Sequence, residues 1–450
     1  MKKLTKKKRR KIIAWTVVLE LILAALVVYG VYSGALKNSL VEGTVIVMLL
    51  LIPVLLVTLL VAVMAGSRTK KTVVVQAPAT PGEETPAEDE GVGRFCMLTR
   101  IDENRNRYGH DVYNRTVTLE KFCEDFRNYA ASKLKLYYDI DDIRRFIAGM
   151  AVSKILILQG MSGTGKTSLA HAFGEFVDNR STVIPVQPMW KERTDLIGYY
   201  NEFTKRFNET LLLEKMYEAN YNQDMYVTVL DEMNIARVEY YFAEFLSLLE
   251  LPNPEERYLT VVSDTWASDP VQLKDGRIKL PVNMWFIGTA NNDDSTFAIS
   301  DKVYDRAMVL DLDRKAERFV APKTERICLS AERFAKLTET AMQEYAVSSR
   351  NRKRLKMLDQ YLIEHFHITF GNRIMKQIRD FVPCFIACGG TEIQAVDFIV
   401  AKKVLRKFES LSLGFMKDEL TKFSTYLDRT FGKNTMVICK QYIEQLKKNN

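Results

Sequence analysis

The sequence predicts an α/β fold in which a parallel β-sheet lies between two layers of helices, in three layers, and is followed by an all-helical region. Three observations support this prediction. A short apolar strand is followed by a glycine-rich turn and a helical segment. Two further apolar strands end in acidic or amide residues, as expected where a parallel sheet presents functional groups at its carboxyl edge. After Asp313 the strand patterns cease, and amphipathic helical periods dominate.

Two apolar stretches, residues 12–34 and 44–65, precede the predicted sheet, and Glu20 is their only charged residue. Each is long enough to cross about 30 Å of hydrocarbon as a helix. Basic residues flank the pair on both outer sides, so the positive-inside rule predicts a hairpin with both termini in the cytoplasm. A cleaved secretory signal peptide is the alternative, which the basic flank after the second stretch opposes. We therefore expect a two-pass protein of the cytoplasmic (inner or plasma) membrane that contacts membrane lipid.

The formal net charge of the chain is +8. Twelve Lys and Arg against two Glu give residues 1–71 a charge of +10, which leaves −2 for the rest of the chain. The basic charge thus flanks the predicted membrane segments, and the remainder lacks the positive field that duplex-binding domains usually show. Nucleic acid is therefore a disfavoured partner, although it stays open.

The six cysteines are scattered without a CxxC pair, and the four histidines form no cluster in the sequence. This distribution is typical of reduced cytosolic thiols. His365 and His367 stand close together, but no further ligand accompanies them at a suitable spacing. We expect packing or surface roles for these residues rather than a metal site.

The glycine-rich turn predicts a phosphate-binding loop. Residues 160–167 read GMSGTGKT between the apolar run KILILQ and the helical segment SLAHAFGEFV. In this context the backbone amides and the helix N-terminus face the phosphates, Lys166 reaches the β- and γ-phosphates, and the Thr167 hydroxyl holds Mg²⁺. The predicted nucleotide-binding residues of the loop are Gly160, Met161, Ser162, Gly163, Thr164, Gly165, Lys166, Thr167 and Ser168.

The two other strands supply the groups expected for hydrolysis. The run YVTVL ends in Asp231, which is predicted to orient Mg²⁺, and in Glu232, which is predicted to polarise the attacking water as general base. A simple helix cap is the alternative for this acidic pair. The run MWFIGTA ends at Asn291, whose amide is expected to hold the same water from the other side. An ordinary Asn/Asp turn is the alternative there.

In this order the motifs resemble the AAA+ ATPases, and within them the MoxR-like and McrB-like group, to which the dynein motor modules are related. The resemblance covers about residues 134–411, and the segments DLIGYY and DEMNIARVEYYF add to it. It implies Walker A roles for Lys166 and Thr167, Walker B roles for Asp231 and Glu232, and a sensor 1 role for Asn291.

The resemblance also implies roles for two arginines. Arg306 falls where the family places an arginine finger, which reaches the γ-phosphate bound by a neighbouring subunit, and Arg373 resembles the nucleotide-binding sensor 2 arginine of the lid. A surface salt bridge is the plain alternative for Arg306. Rival fingers are Arg237, Arg314 and Arg318. The predicted catalytic residues are Lys166, Glu232, Asn291 and Arg306.

These assignments give the following division of the chain. It comprises a transmembrane hairpin (1–71), a flexible linker (72–92), a helical lead-in segment (93–150), an AAA+ α/β nucleotide-binding subdomain (151–320), a helical lid (321–411) and a helical tail (412–450). Within the lead-in segment, the resemblance implies that Tyr137, Tyr138 and Ile140 contact the adenine of the nucleotide. Packing in the core is the simpler interpretation of these three residues.

The expected activity is hydrolysis of ATP with Mg²⁺ in a homo-oligomeric, hexameric ring. The McrB-like guanine-nucleotide enzymes carry Asn-Thr-x-Asp at the sensor strand, whereas residues 291–294 read NNDD, so GTP stays open. Because the sequence contains no HExxH, GxSxG or nuclease-like carboxylate cluster, we expect the hydrolysis to remodel a protein partner at the cytoplasmic membrane face. The alternatives are the motor subunit of a nucleic-acid restriction system and a nucleotide-controlled assembly switch.

Overall fold

The structure is a computed structural model that describes residues 93–291, 296–313, 316–411 and 417–448. The predicted membrane spans and the predicted linker lie outside these residues. Among the residues described, no helix combines the length and the apolar character that crossing a membrane requires.

Three helices precede the sheet: α1 (Met97–Glu103), α2 (Leu119–Lys133) and α3 (Ile140–Val152). The α/β region then contains β1 (Ile155–Gly160), α4 (Lys166–Phe176), β2 (Thr182–Pro185), α5 (Thr194–Ile197), β3 (Gly198–Asn201), β4 (Arg206–Glu209), α6 (Leu211–Ala219), β5 (Tyr226–Asp231), α7 (Val238–Tyr241), α8 (Ala243–Glu250), β6 (Tyr258–Thr260), β7 (Arg277–Lys279), β8 (Met284–Asn291), α9 (Asp301–Tyr304) and β9 (Met308–Asp311). Helices α10 (Ala331–Glu344), α11 (Ser349–Phe366), α12 (Gly371–Ala387), α13 (Glu392–Lys403), α14 (Lys417–Phe431) and α15 (Val437–Lys448) follow.

The main sheet has the strand order β2-β5-β8-β1-β9, and every pair in it is parallel. The prediction of a parallel α/β sheet is therefore confirmed. The three predicted strands β5, β8 and β1 are its centre, while β2 and β9 were not foreseen because four-residue strands leave too short an apolar pattern. Two antiparallel hairpins, β3–β4 and β6–β7, are further additions to the predicted fold.

Both faces of the sheet are covered, which explains why its central strands are continuous apolar runs. All six residues of β1 are buried. Since side chains alternate along a strand, Leu156 and Leu158 join the core formed with the lead-in and C-terminal helices, whereas Ile155 and Ile157 join the core formed with α6, α7 and α8. The sheet is thus fixed between two helical layers.

An aromatic cluster attaches the lead-in helices to the helix that follows the glycine loop. Its members are Phe122 and Phe126 of α2, Phe146 of α3, and Phe173 and Phe176 of α4, with ring centroids 5.2–6.3 Å apart in the contacting pairs. Such pairs add to the free energy gained from burial. The orientation of α4, and with it that of the glycine loop, is therefore set by the lead-in segment.

Side chains that bind backbone groups at helix ends join the C-terminal helices to α3 and to one another. Arg144 of α3 donates from Nε to the carbonyl of Cys388 at the end of α12 (3.1 Å). The carboxylate of Asp397 in α13 accepts the amides of Ile438 (2.8 Å) and Cys439 (2.9 Å), which lie in the first turn of α15. A buried carboxylate thus satisfies amides that the start of a helix leaves without partners.

Two buried helical glycines differ in the space around them. A Cβ at Gly174 in α4 would lie 2.4 Å from the backbone nitrogen of Ser181 and 3.0 Å from the carbonyl oxygen of Asn179. A Cβ at Gly149 in α3 would lie at an ordinary 3.5 Å from Leu156 and Met308. Of these two glycines, only Gly174 is therefore required for a close approach of two backbone segments.

We predict that Gly174→Ala lowers the free energy of unfolding by about 1–3 kcal/mol, because the backbone of residues 179–181 must move away. Gly149→Ala is the matched control and should be neutral or stabilising by up to about 1 kcal/mol, since alanine is the better helix former. Urea unfolding of the purified protein measures both. Equal stability of the two variants would contradict the close approach.

Candidate functional site

The glycine loop joins the carboxyl end of β1 to the N-terminus of α4. Gly160 has a φ of +143°, and a Cβ there would lie 2.8 Å from the carbonyl oxygen of Leu312, so only glycine fits. Lys166, the first residue of α4, is 7% exposed and donates from Nζ to the carbonyl oxygens of Gly160 (2.9 Å) and Met161 (2.7 Å). The lysine is therefore held across the loop where phosphates are expected.

The remaining loop residues line the open side of this turn. Thr164 donates from Oγ1 to the carbonyl of Met161 (3.0 Å), which tightens the loop. Ser162 and Gly163 are exposed, and Ser168 is half-buried in the first turn of α4. The hydroxyl of Tyr138 donates to the carbonyl of Gly165 (3.2 Å), so this buried tyrosine supports the loop from the lead-in side.

A hydrogen-bonded hub lies next to the loop at the carboxyl end of β5. Asp231 Oδ1 accepts from Thr167 Oγ1 (2.7 Å) and from Thr289 Oγ1 in β8 (2.8 Å). Thr289 Oγ1 in turn accepts the backbone amide of Glu232 (2.8 Å). One threonine of the sensor strand therefore fixes both acidic residues, a role that an isolated Thr in an apolar run does not reveal in the sequence.

Glu232 follows Asp231 in a left-handed conformation, with φ +53° and ψ +47°. A non-glycine residue in this region costs roughly 1–3 kcal/mol and persists only where its surroundings enforce it. The bond from its amide to Thr289 and the bond to its carbonyl from the amide of Ile235 (2.9 Å) enforce it here. Its side chain is exposed, which suits a group that must meet water.

Asn291 lies at the end of β8, directly opposite Gly160 in the register of β1 and β8. Its carbonyl oxygen accepts from Asn234 Nδ2 (2.9 Å) and from Thr296 Oγ1 (3.2 Å). Asn234 is buried in the 3₁₀ turn (Met233–Ile235) that follows Glu232. The turn after the acidic pair thus holds the end of the sensor strand close to the loop.

These residues fit a nucleotide with Mg²⁺. The Thr167 hydroxyl and the Asp231 carboxylate are oxygen donors of the kind that Mg²⁺ prefers, and they already lie within hydrogen-bonding distance. Asp231 Oδ2 accepts no hydrogen bond from the residues described. The loop amides, Lys166 and the N-terminus of α4 provide the complementary positive field for phosphates.

The structure does not bring Arg306 and Arg373 to this site. Both pair with Glu250: Arg306 by Nη2 at 2.6 Å, and Arg373 by its own Nη2. They line a groove of about 690 Å³ together with Lys154 and Ile155, at the amino end of β1. Five residues of strand, about 16 Å, separate this end from the glycine loop.

The nucleotide-binding role of Arg373 as a sensor 2 arginine stays a prediction, because the arginine lies away from the glycine loop of its own chain. The reason is that α12 begins beneath the opposite edge of the sheet, where Glu250 and Asp305 hold the arginine. Among the rival fingers, Arg314 lies outside the residues described, Arg318 is exposed after β9, and Arg237 lies over the ring of Phe297 at 5.2 Å.

Side chains of the C-terminal helices α12 and α13 donate hydrogen bonds to the backbone around Arg306. Lys403 of α13 is 5% exposed and donates from Nζ to the carbonyl oxygens of Tyr304 (2.7 Å) and Ala307. Gln377 of α12 donates to the carbonyl of Asp305 (3.1 Å). Burial lowers the pKa of Lys403 to about 7. The position of the arginine is thus linked to the two helices that pack against it.

The site described above lies within a segment that matches a known family. The family model of the AAA domain (dynein-related subfamily) matches residues 155–307. A crystal structure of a provisionally assigned ATPase from Cytophaga hutchinsonii is 13% identical, with a TM-score of 0.45 over 74% of this chain and 98% of its own. A full-length MCM homolog from Methanopyrus kandleri is 11% identical, with a TM-score of 0.36 over 64% and 61%. No curated protein matched by sequence.

The family match covers the glycine loop, the hub around Asp231, the sensor strand and Arg306, while Arg373 lies beyond it. Both solved structures are similarities at low identity, and the assignment does not depend on them. Residues 155–307 thus match the model of the AAA domain (dynein-related subfamily), which supports an ATPase of the AAA+ type.

Proposed function

We propose that the protein is an ATPase that works as a ring of identical subunits, is anchored in the cytoplasmic membrane by residues 1–71, and remodels a protein partner. The observation that carries the proposal is the separation of Arg306 from the glycine loop of its own chain. An arginine at the amino edge of the sheet can meet only a nucleotide held by another subunit. Head-to-tail contacts of this kind generate a closed ring when the rotation between neighbouring subunits closes.

The chemistry follows from the described side chains. Lys166 and the loop amides bind and orient the phosphates, and Thr167 with Asp231 would hold Mg²⁺, which would neutralise charge on the β- and γ-phosphate oxygens. Glu232 accepts a proton from the attacking water, whose position Asn291 restricts from the other side. Arg306 of a neighbour then supplies a planar donor array to the charge that develops on the transferred group.

An exposed aromatic hairpin supports the assignment of a protein partner. Phe203 at the turn of the β3–β4 hairpin is 98% exposed, and Tyr199 in β3 is 52% exposed. The turn is ordered, because Asn201 Oδ1 accepts the amides of Phe203 (3.0 Å) and Thr204 (3.2 Å). A large apolar side chain held out from the surface is suited to contact with apolar segments of another polypeptide.

The relation to the MoxR-like and McrB-like group, a hexameric assembly and ATP as the preferred nucleotide are parts of the same proposal. The segments DLIGYY and DEMNIARVEYYF support the relation to that group, the hexamer is implied by the resemblance, and ATP is favoured because residues 291–294 (NNDD) lack the Thr of the Asn-Thr-x-Asp motif. Residues 292–294 lie outside the described residues. Competition between ATP and GTP for binding to the purified protein tests which nucleotide it prefers.

Glu232→Gln should retain nucleotide binding but lower kcat for ATP hydrolysis by about 10²–10⁴-fold, the usual contribution of a general base. Thr289→Val keeps the shape of the side chain but removes its hydrogen bonds with Asp231 and with the amide of Glu232. It should therefore lower kcat by about 10–100-fold. Thr228→Val is the matched control, because the buried hydroxyl of Thr228 in the same sheet has no hydrogen-bond partner in the part of the chain that the structure describes. Steady-state hydrolysis and fluorescent-nucleotide binding measure both. Full activity of Glu232→Gln would contradict the assignment of the base.

Arg306→Ala should lower kcat by about 10³–10⁵-fold in the assembled protein, while Arg318→Ala, at an exposed site, should not. An equal mixture of Arg306→Ala and Glu232→Gln subunits should regain activity at roughly a quarter of the interfaces, where one variant supplies the base and the other the arginine. The rate of the mixture distinguishes a finger that acts across subunits from one within a subunit. An inactive mixture of co-assembled subunits would refute action across the interface.

A photo-crosslinking residue at position 203 should form nucleotide-dependent adducts with protein in membranes that contain the Glu232→Gln form. The same residue at position 320, where Val320 is fully exposed after β9, is the control and should give none. Mass spectrometry identifies the adducts. Nucleic acid at position 203 would support the restriction-system alternative, and an absence of adducts, with full biological function of Glu232→Gln, would support an assembly switch.

A further inference from the structure

The fold brings together three potential metal ligands from distant parts of the chain. His110 precedes α2, Asp224 precedes β5, and Cys328 lies between β9 and α10. One ligand atom from each, a ring nitrogen, a carboxylate oxygen and the thiol sulfur, lie within 4.8 Å of one another. These three residues are far apart in the sequence, so the sequence gives no sign of the cluster. The scattered cysteines and histidines instead favoured roles in packing or at the surface.

The three residues are held in place by contacts of their backbones. The amide of His110 lies 3.3 Å from Asp224 Oδ1, to which it donates, and the amide of Asn114 donates to the carbonyl of Cys328 (2.7 Å). Asp224 is 6% exposed and also forms a β-bridge with Ser330. The site is therefore built by ordered backbone segments, while the half-buried His110 leaves a path from solvent.

The surrounding side chains form the outer shell that metal ligands usually have. His110 Nδ1 faces both oxygens of Asp224 at 3.1 Å, and its other nitrogen, Nε2, lies 3.4 Å from Asp178 Oδ2. Tyr113 donates from its hydroxyl to Asp224 Oδ1 (2.7 Å). Metal-binding histidines commonly donate their second ring N–H to a carboxylate, and metal-binding carboxylates are themselves hydrogen-bonded.

Arg326 holds Asp178 in turn, at 3.0 Å from its Oδ1. A simple ion pair between a protonated His110 and two carboxylates would account for the His–Asp contacts alone. It would not account for the thiol of Cys328 beside them, which makes no hydrogen bond with the residues described. A thiol among carboxylates adds nothing to an ion pair, whereas a cation would use it as a thiolate ligand.

We propose that His110, Asp224 and Cys328 bind one Zn²⁺ ion, with the fourth position open to solvent. One nitrogen, one oxygen and one sulfur ligand suit Zn²⁺ and exclude Mg²⁺ and Ca²⁺, which take oxygen ligands. On binding, the thiol proton leaves to solvent, and the imidazole keeps its single proton on Nε2, where Asp178 accepts it. The metal would join the lead-in segment, the start of β5 and the segment that leads to α10.

The test uses the full-length chain, loaded with Zn²⁺ or with Co²⁺ as a spectroscopic probe. We expect one ion per chain, a thiolate-to-cobalt charge-transfer band, and a rise in the unfolding temperature with added Zn²⁺. Cys328→Ser should abolish the charge-transfer band and weaken binding by more than 10-fold, and Tyr113→Phe should weaken it by about 10-fold.

Cys96→Ser is the matched control, because Cys96 is an exposed thiol outside the cluster. Should His110→Ala or Asp224→Asn fail to fold, Cys328→Ser remains decisive, since its thiol takes part in no hydrogen bond among the residues described. A chain that binds no ion, or one whose binding is unchanged in Cys328→Ser or lost equally in Cys96→Ser, would overturn the proposal. None of these measurements depends on nucleotide hydrolysis.

Discussion

The in-register parallel pairing of β1, β8 and β5 is the constraint on which the candidate nucleotide site depends. The carboxyl ends of parallel strands lie along one edge of a sheet, and the observed register places Asn291 opposite Gly160 and brings Thr289 to Asp231. A shift of β8 by one residue would turn the Thr289 side chain to the other face. Asp231 would then lose one of its two hydroxyl partners, and the left-handed turn at Glu232 would lose its support.

The same parallel arrangement explains why the arginines form a separate group. The polypeptide must return to the amino edge before each new parallel strand begins, so Arg306, two residues before β9, necessarily lies at the edge opposite the glycine loop. The last residue of α8, Glu250, reaches this edge as well and pairs with both arginines. One strand direction therefore creates two chemically different edges, one with the glycine loop and the acidic pair and one with the two arginines and Glu250.

Local motifs account for what could be predicted from the sequence. The glycine loop and the Asp231–Glu232 pair are contiguous with their strands, so strand, turn and helix specify their geometry without knowledge of the fold. The roles of Thr289 and Glu250 depend on contacts between residues 56 or more positions apart, and a threonine in a strand or a glutamate at a helix end has no signature. For the same reason His110 and Asp224, 114 residues apart, gave no metal pattern.

The pairing of both arginines with Glu250 also bears on how Arg306 could exchange its partner when the proposed ring assembles. The Arg306–Glu250 pair is partly exposed, with 22% and 30% of the two side chains accessible, and the Arg373–Glu250 pair is more so. Partly exposed pairs of this kind contribute only about 0–1 kcal/mol, whereas an arginine on a phosphate makes charge-assisted, bidentate bonds that are considerably stronger. In the proposed ring, transfer of Arg306 from Glu250 to the phosphate of a neighbouring subunit would therefore be favourable. Arg373 can remain on Glu250 and so leaves no carboxylate without a partner when Arg306 moves.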